Sequence, residues 1–491
     1  GGADEAESAA EVTSLDTLVR VAASGGALVA AAPRTALRTC TAPGDGAESP
    51  APDGDDARRG RQRAAAARPR YDRALVGGQV ARLEARSPDL AAMLRCPVPV
   101  VIAGSDLTER ATGQWSFEYL QKHMDDVDNF FVLRAPAESD GRFAYYDMKP
   151  EKNPCGHHVT PTNERIEMRF HKFRQQAAEA SRLRRGGAPA PSYYLQNTVL
   201  HRDEEQTGPP KPVGSFGVSC GCQVGADIAS FRWDWLKDAM GGRCPQMCQL
   251  FCGHEGGFSP CHYDPQDNVF AQIRGYKRVL LFHPKHFRSL YPWPVHHPQD
   301  RQSRVDFDLP DLETFPRFAE LRGQGLEAVL GPGDALHIPP GWWHHIEMLP
   351  SPPNGEVVSI NFWYTAPRWF YGDARLGEAH IKWDRPLQGA RRVLFQRCVE
   401  ELVAHSAGAA AVPTVVRVAM GGVADPAELG LGPSECQAVA DVRTFVSAVF
   451  PDDGERRDLL AEVIEGRFAG LALGPPARAA TTAAAAAGID R

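Results

Sequence analysis

The stretch Ser259–Asp264 contains two side chains that commonly bind metals, a histidine and an aspartate. His262 and Asp264 are two residues apart, and side chains two apart in a β-strand point to the same face of the sheet. In a strand, both would therefore face one ion. The spacing alone is not specific, because it occurs again at His201 and Asp203 in an acidic, proline-rich stretch that is typical of a loop.

Two further residues favour a metal site at this pair more strongly than the spacing alone does. Lys277 follows Asp264 by thirteen residues and begins an apolar run, and His344 follows Asp264 by eighty residues, after the turn Gly331–Asp334. Two histidines and one carboxylate leave three positions of an octahedral ion open, which suits non-haem Fe(II) with 2-oxoglutarate and O2 as cosubstrates. A buried lysine nearby supplies the charge for the far carboxylate of 2-oxoglutarate. The alternative is that His262 and His344 are hydrogen-bonded core residues.

The cysteines predict a reducing environment and no zinc site. Their number, eleven, is odd, and in a chain of 491 residues this favours free thiols over a disulfide framework. We therefore expect a cytoplasmic or nuclear protein. Cys220 and Cys222, and the series Cys244, Cys248 and Cys252, lack the two close pairs of a structural zinc site, so we interpret them as small buried side chains.

Composition narrows the class of protein. The chain is 43% hydrophobic and 23% charged, which is ordinary for a globular protein. Its formal net charge of −7 argues against a surface built to grip nucleic acid. No apolar run is long enough to cross a bilayer. We expect neither a nucleic-acid partner nor a membrane.

Periodicity divides the chain into a β-rich middle and a helical end. The runs Asn268–Ile273, Lys277–Phe282 and Val357–Tyr364 are typical of strands. After residue 366 the period becomes helical, with apolar faces around 387–403, 434–449 and 459–471, and Ser434 is the predicted N-cap of the second helix. These faces must pack on the β core or on a second copy of the chain.

The predicted domain organisation follows from these shifts in composition. The segments are a disordered arm over 1–80, an N-terminal extension over 81–190 that packs on the core, a catalytic core over 191–366, a helical region over 367–474 and a disordered tail over 475–491.

Several motifs together resemble the JmjC family of Fe(II)/2-oxoglutarate oxygenases. They are His262–Asp264, Gln272–Lys277, Gly331–Asp334, Trp342–His345 and Asn361–Tyr364. In addition, the insert Tyr291–Asp308 is similar to that of the factor-inhibiting-HIF branch, the asparaginyl hydroxylases of a hypoxia-inducible transcription factor. The likeness runs from about residue 95 to about residue 405.

The resemblance implies a mainly β fold, a double-stranded β-helix (jelly-roll) of the cupin/JmjC type with flanking helices and a C-terminal helical region. It also implies a role for each matching residue. The iron ligands would be His262, Asp264 and His344; Tyr194, Ser259, Asn268, Lys277 and Asn361 would contact 2-oxoglutarate; and Gln196, Arg301, Gln302 and Trp363 would contact the protein substrate. Ser259 stands where the family usually has threonine.

The function that the resemblance implies is hydroxylation of an asparagine β-carbon in an ankyrin-repeat protein or a transcription-factor segment. The C-terminal helices would form a homodimer. One alternative keeps the enzyme and changes the target, as a JmjC lysyl or arginyl hydroxylase or a histone demethylase. Another is a non-catalytic cupin binding module, which predicts a damaged metal triad or no lysine partner.

Overall fold

The computed structural model describes residues 52–124, 129–202, 211–212, 223–365, 388–421, 426–450 and 452–471. Residues 1–51 of the predicted arm, the predicted tail over 475–491, Asp203, Cys220 and Cys222 lie outside the described residues.

The described chain alternates between strands and helices. The strands are β1 Val76–Gln79, β2 Ala81–Glu84, β3 Val100–Ala103, β4 Phe130–Ala135, β5 Glu164–Met168, β6 Ser192–His201, β7 Lys211–Pro212, β8 Met247–His254, β9 Phe258–Tyr263, β10 Asn268–Arg274, β11 Tyr276–Phe282, β12 Gly325–Leu330, β13 Ala335–Ile338, β14 Trp343–Leu349 and β15 Glu356–Trp363. The helices are α1 Pro52–Ala65, α2 Leu90–Arg95, α3 Glu109–Gln114, α4 Phe117–Met124, α5 Phe170–Arg185, α6 Gln223–Ala229, α7 Trp233–Ala239, α8 Phe287–Leu290, α9 Gln388–Ala407, α10 Val412–Met420, α11 Pro433–Val449 and α12 Asp453–Ile464.

Two sheets form the β core. A five-stranded sheet has the order β1-β12-β11-β14-β9, and a ten-stranded sheet has the order β2-β3-β13-β10-β15-β8-β6-β4-β5 with β7 paired to β6. Strands that are distant in sequence are neighbours in both sheets, as in a jelly-roll. The predicted fold class, a mainly β core with flanking helices, is confirmed.

Alternation along β15 separates the inside of the core from its helical cover. Val358, Ile360 and Phe362 lie in the apolar cluster that the ten-stranded sheet shares with the N-terminal helices. Ser359, at 0% exposure, points the other way and accepts a hydrogen bond from Lys277 of the five-stranded sheet. Because side chains alternate, every second residue of β15 from Ser359 onward faces the space between the sheets.

The prediction of a disordered arm over 1–80 is wrong for residues 52–80. Residues 52–80 form α1 and β1, and the segment between them lies on the outer face of the five-stranded sheet. The Arg278 guanidinium donates to the carbonyl oxygens of Ala65 and Ala67, both at 2.8 Å, and the Tyr71 hydroxyl donates to Glu327 at 2.6 Å. Hydrogen bonds from buried polar groups of the sheet hold this segment, and a low apolar content does not reveal them.

The predicted boundary at residue 190 does not separate an extension from a core. Strands β2, β3, β4 and β5 come from the predicted extension, and all four are hydrogen-bonded members of the ten-stranded sheet. Strand β3 pairs with β13 and β4 pairs with β6, while β2 and β5 extend the sheet from β3 and β4. All four are thus part of the core itself.

The chain contains two compact units with different boundaries from those predicted. The first comprises the described residues of Gly1–Ala144, Pro161–Ser289 and Val305–Pro367; the second comprises those of Tyr145–Thr160, Leu290–Arg304 and Arg368–Arg491. The insert joins the second unit because Arg467 donates to the carbonyl oxygens of Pro292 and Trp293, at 2.9 and 3.1 Å.

The helices of the second unit pack their apolar faces on one another. Val439, Val442 and Val446 of α11 share one cluster with Leu459 and Leu460 of α12, all buried. A second copy of the chain is therefore not required to cover them.

Helix α11 matches its predicted span, but its predicted N-cap is wrong. Gly432 is the N-cap, Pro433 occupies the first helical turn, and the Glu435 carboxylate accepts a hydrogen bond from the Gly432 backbone N–H at 2.8 Å. Proline favours the first turn because it has no N–H to satisfy there. The N-cap is thus two residues earlier than predicted, because proline begins the helix.

Taken one at a time, the described helices are too short or too polar to span a bilayer. One pair, Arg392–Ala407 and Ala409–Met420, meets the length and composition criteria together but is bent by 120°.

Candidate metal centre

Three predicted ligands converge at the end of two neighbouring strands. His262 of β9 lies directly opposite His344 of β14, and their ring centroids are 4.2 Å apart. Asp264 follows β9, and its Oδ2 atom lies 3.4 Å from His344 Nε2 and 3.9 Å from His262 Nε2. One ligand atom of each residue lies within 4.8 Å of the others, so a single ion can contact all three.

Backbone carbonyls orient both imidazoles. His262 Nδ1 lies 2.8 Å from the Pro260 carbonyl oxygen, and His344 Nδ1 lies 2.9 Å from that of Trp342. A ring nitrogen that donates to a carbonyl carries the proton, so the lone pair is left on the other nitrogen. Both Nε2 atoms are thereby prepared as ligands, and both face Asp264.

A β-bulge in β9 assists this arrangement. Pro260 and Cys261 together oppose one residue of β14, because Ser259 pairs with Ile346 and His262 pairs with His344. Proline has no N–H to donate to a strand partner, so it is favoured at such irregularities. The extra residue lets Ser259 and His262, three positions apart, face the same side.

The donor set fits Fe(II). Two imidazoles and one carboxylate with open positions form the facial triad of non-haem iron oxygenases. Across the described ranges, no other group of three or more His, Cys, Asp or Glu side chains is close enough to share an ion. Cys248 and Cys252 are buried in the apolar cluster, as interpreted from the sequence.

Lys277 lies deep between the two sheets. It is 2% exposed, and its Nζ donates to the Tyr194 hydroxyl at 3.2 Å and to the Ser359 hydroxyl at 2.9 Å. The Phe270 ring lies 4.7 Å from Nζ. Burial lowers the pKa of Lys277 from 10.5 to about 7.

The surroundings of Lys277 fit the end of a dicarboxylate. Among the described residues Lys277 has no carboxylate partner, so a bound carboxylate would gain a charged donor and two hydroxyl groups at once. Further along the same wall, the buried Oδ1 atoms of Asn268 and Asn361 have no hydrogen-bond partner in the part of the chain that the structure describes. Buried acceptors of this kind are usually satisfied by a ligand or water.

The structure adds one group to those predicted around the cosubstrate. Ser259 faces inward opposite Ile346, and its contact with 2-oxoglutarate stays a prediction. The second hydroxyl on Lys277 belongs to Ser359, which the sequence reasoning missed. Ser359 is two residues before Asn361 in a predicted strand, so alternation could have placed it on the same face.

The predicted substrate residues lie in both units. Gln196 of β6 and Trp363 of β15 belong to the first unit, and both are partly exposed. Arg301 and Gln302 belong to the second. There, the Gln302 amide nitrogen donates to the Tyr145 carbonyl oxygen, and Arg301 has a φ of 69°, in the left-handed region. A role for these four residues in substrate binding stays a prediction.

The inner faces of the strands around Lys277 carry amides and hydroxyls but no acidic group. Strand register assigns these positions to the inner face: Tyr194, Gln196, Thr198, Met247, Gln249, Phe251, Asn268, Phe270, Gln272, Ser359, Asn361 and Trp363 of the ten-stranded sheet, and Lys277, Val279, Leu281, His344, Ile346 and Met348 of β11 and β14. None of these is Asp or Glu. The wall therefore offers neutral hydrogen bonds, with Asp264 as the acidic group at its metal end.

Comparisons with known proteins give the chain relatives. The profile of the family described as "Cupin-like domain" matches residues 89–368, more than half of the chain. The chain is 35% identical over 106 residues to Lysine-specific demethylase JMJ31 of Arabidopsis thaliana, covering 22% of this chain and 18% of that protein.

Two animal proteins are similar to a comparable extent. Lysine-specific demethylase 8 of Xenopus tropicalis is 37% identical over 116 residues, 23% of this chain and 24% of that protein. Jumonji C domain-containing protein 5 of Drosophila melanogaster is 36% identical over 119 residues, 24% of this chain and 27% of that protein. The matched part thus spans about a fifth to a quarter of the length of these relatives.

Proposed function

Because this chain belongs to the cupin-like domain family, with JmjC proteins among its relatives, we propose that it is an Fe(II)- and 2-oxoglutarate-dependent protein hydroxylase that acts on asparagine. Bound together, Fe(II), 2-oxoglutarate and O2 supply an oxidant for an unactivated C–H bond. In the overall reaction 2-oxoglutarate and O2 yield succinate and CO2, and one oxygen atom enters the Cβ–H bond of the target.

The residues of the chain hold and orient the reactants. His262, Asp264 and His344 would hold the metal. Lys277, with the hydroxyls of Tyr194 and Ser359 as neighbours, would hold the far carboxylate of the cosubstrate. Holding reactants in one geometry removes much of the entropic cost of bringing them together.

The neutral inner wall carries the proposal of asparagine as the target. A primary amide both donates and accepts hydrogen bonds, and so do the glutamine and asparagine side chains of this wall, among them Gln196 and Asn361. A lysine ammonium or an arginine guanidinium only donates and is stabilised best by a carboxylate. The described inner face has none apart from the metal ligand Asp264.

We propose an ankyrin-repeat protein, or a segment of a transcription factor, as the partner. A role in substrate binding for each of Gln196, Arg301, Gln302 and Trp363, a homodimer through the C-terminal helices, and a cytoplasmic or nuclear location belong to the same proposal. The resemblance of the insert Tyr291–Asp308 to that of asparaginyl hydroxylases supports it.

A second candidate function is hydroxylation or demethylation of lysine. It is favoured by the names of two relatives, which are lysine-specific demethylases. A non-catalytic binding module has less support, since the triad is complete and Lys277 is present.

Mass spectrometry of modified peptides distinguishes these functions. The purified full chain is incubated with Fe(II), 2-oxoglutarate and O2 and with a consensus ankyrin peptide carrying asparagine, or with matched peptides carrying lysine or methyl-lysine. We expect one added oxygen on the asparagine β-carbon, and none with the Asp264→Ala variant. Modification of the lysine peptides instead would replace the proposal with the second candidate, and bound iron without turnover would favour the binding module.

A further inference from the structure

Gln249 is a polar residue in the middle of β8 that none of the roles above uses. Its neighbours in register are Asn361 on β15 and Thr198 on β6. Three hydrogen-bonding side chains therefore stand in one row across three adjacent strands. The adjacent row contains Ser359, which accepts a hydrogen bond from Lys277, so the Gln249 row lies one step closer to Trp363.

The side chain of Gln249 faces the space between the sheets. Its neighbours Cys248 and Leu250 lie in the apolar cluster on the opposite face of the sheet. Phe251, two residues along, has its ring 5.6 Å from Lys277 Nζ in the interior. Alternation therefore points Gln249 inward, with Phe251.

The side chain of Gln249 has no hydrogen-bond partner among the described residues. It is partly buried. The same is true of Gln196 on the adjacent strand. A leucine or methionine at position 249 would satisfy the fold equally well, since a half-buried inner position needs no amide.

We propose that Gln249 is a specificity-determining residue that binds the target amide of the substrate together with Gln196. This inference rests on the proposed function and names a contact that makes the site selective. Gln196 lies opposite Phe251, so Gln249 is its diagonal neighbour, about 7–8 Å away between backbones, within reach of long side chains. Two carboxamides can thus contact one group held between them.

A pair of carboxamides selects by hydrogen-bond type. Each glutamine offers an acceptor oxygen and two donor hydrogens, so the pair satisfies both halves of a primary amide. A carboxylate target has no N–H, so the oxygen of one glutamine is left without a donor. An ammonium target has no acceptor, so the N–H of one glutamine is left without a partner. Unpaired polar groups in a desolvated site are costly, and this cost produces the discrimination.

Binding without turnover tests the inference. The full chain is loaded with Fe(II) and 2-oxoglutarate in the absence of O2, and calorimetry measures its affinity for matched peptides with asparagine, aspartate or lysine at the target position. We expect Gln249→Leu to weaken binding of the asparagine peptide by about 5- to 30-fold. We expect Gln249→Glu to raise the affinity for lysine relative to asparagine by about tenfold or more.

The matched control is Gln79→Leu, the same chemical change at an exposed position of edge strand β1. It should leave peptide affinity at the wild-type level. Iron content and circular dichroism show that each variant is folded, and Gln249→Met, closer in shape to glutamine, replaces the leucine variant if that one fails to fold.

The results separate this inference from the proposed function. If the wild type binds and hydroxylates the asparagine peptide but Gln249→Leu and Gln249→Met bind it within twofold of wild type, the role of Gln249 is wrong and the function stands. If the wild type neither binds nor hydroxylates that peptide, both are wrong.

Discussion

The buried side chain of Lys277 indicates a ligand with a negative charge. A cation with no carboxylate partner among the described residues is poorly stabilised inside a protein, and burial lowers the pKa of Lys277 to about 7. A bound carboxylate would reverse this, because an opposite charge nearby favours the protonated amine. Cosubstrate binding and protonation of Lys277 should therefore be coupled.

This coupling predicts that the affinity for 2-oxoglutarate decreases as the pH rises above about 7. Above that pH the free protein has a neutral amine, and binding must take up a proton. The dissociation constant should rise by up to about tenfold per pH unit, and it should be nearly constant just below pH 7. Calorimetry in buffers of different ionisation enthalpy measures the proton uptake; a flat profile from pH 6 to 9 would contradict the coupling.

Replacing the lysine should weaken binding while stabilising the fold. We expect Lys277→Met to raise the dissociation constant of 2-oxoglutarate by about 10- to 100-fold, because a charged hydrogen bond is lost. The free energy of unfolding of the cofactor-free protein at pH 7 should increase by about 1–3 kcal/mol, since the buried cation is removed.

A pH series checks the same variant. Between pH about 7 and 10.5 the unfolded wild-type chain carries a proton at Lys277 that the folded chain lacks, so its free energy of unfolding should rise with pH. Lys277→Met should lack this rise, whereas Lys237→Met, at an exposed position on α7, should retain it.

The proposed metal site predicts that two histidines with the same spacing to an aspartate, His262 and His201, differ in their effect on iron content. We expect His262→Ala to reduce bound iron from about one ion per chain to nearly none, because two ligands hold a divalent ion far less tightly than three. His201→Ala, which alters the other His-x-Asp pair, should keep the wild-type content. Elemental analysis after gel filtration measures both; equal iron in the two variants would remove His262 from the site.

Among the elements, regular strands could be predicted from the alternation of side chains in the sequence, but the bulge in β9 could not. Strands β10, β11 and β15 form close to their predicted positions because each is a run of apolar and β-branched residues between turns. The inward position of Ser259 was not derivable in this way, since counting by twos from His262 turns it outward. Only the bulge at Pro260 and Cys261 corrects that count.

The segment between α1 and β1 was missed for a different reason. Its attachment depends on partners more than two hundred residues away in sequence, such as Tyr71 with Glu327. The amino-acid composition of a segment does not indicate contacts with residues that are distant in sequence. The convergence of His262, Asp264 and His344, by contrast, was predictable because side-chain chemistry, spacing and family motifs all indicated the same residues.

The Tyr71 contact gives a prediction for this segment. Tyr71 is 5% exposed, so Tyr71→Phe removes a donor from the buried Glu327 carboxylate, which keeps Arg278 at 3.5 Å. We expect a loss of about 1–3 kcal/mol in the free energy of unfolding by urea denaturation. Tyr145→Phe, at a residue 56% exposed, should change it by less than about 0.5 kcal/mol. Equal effects would mean that the segment is not held as described.

The whole molecule combines a cupin-like domain with a second compact unit. The predicted resemblance to the JmjC family is confirmed at the family level, while the closer likeness to asparaginyl hydroxylases stays a prediction. The three candidate metal ligands and Lys277 lie in the first unit. The second unit has its own buried ion pair, Arg467 with Glu400 at 2.5 Å, both 1% exposed at their side chains.

This division predicts that the second unit can be weakened without loss of the metal. Arg467→Met leaves the Glu400 carboxylate buried without its cation, which typically costs about 3–5 kcal/mol. Scanning calorimetry should show one transition at lower temperature, and iron content measured below that temperature should be unchanged. Arg457→Met, at an exposed position of α12, is the control. A parallel loss of iron would show that the two units do not behave separately.

The polar attachment of residues 65–71 has a practical consequence for anyone producing this protein. The first 80 residues are rich in alanine and arginine, so composition alone suggests that expression can begin near residue 81. Such a shortened version would strip the Arg278 guanidinium of its two carbonyl acceptors and leave a charged, formerly covered sheet face open to solvent. Trimming before residue 52 keeps those acceptors in place.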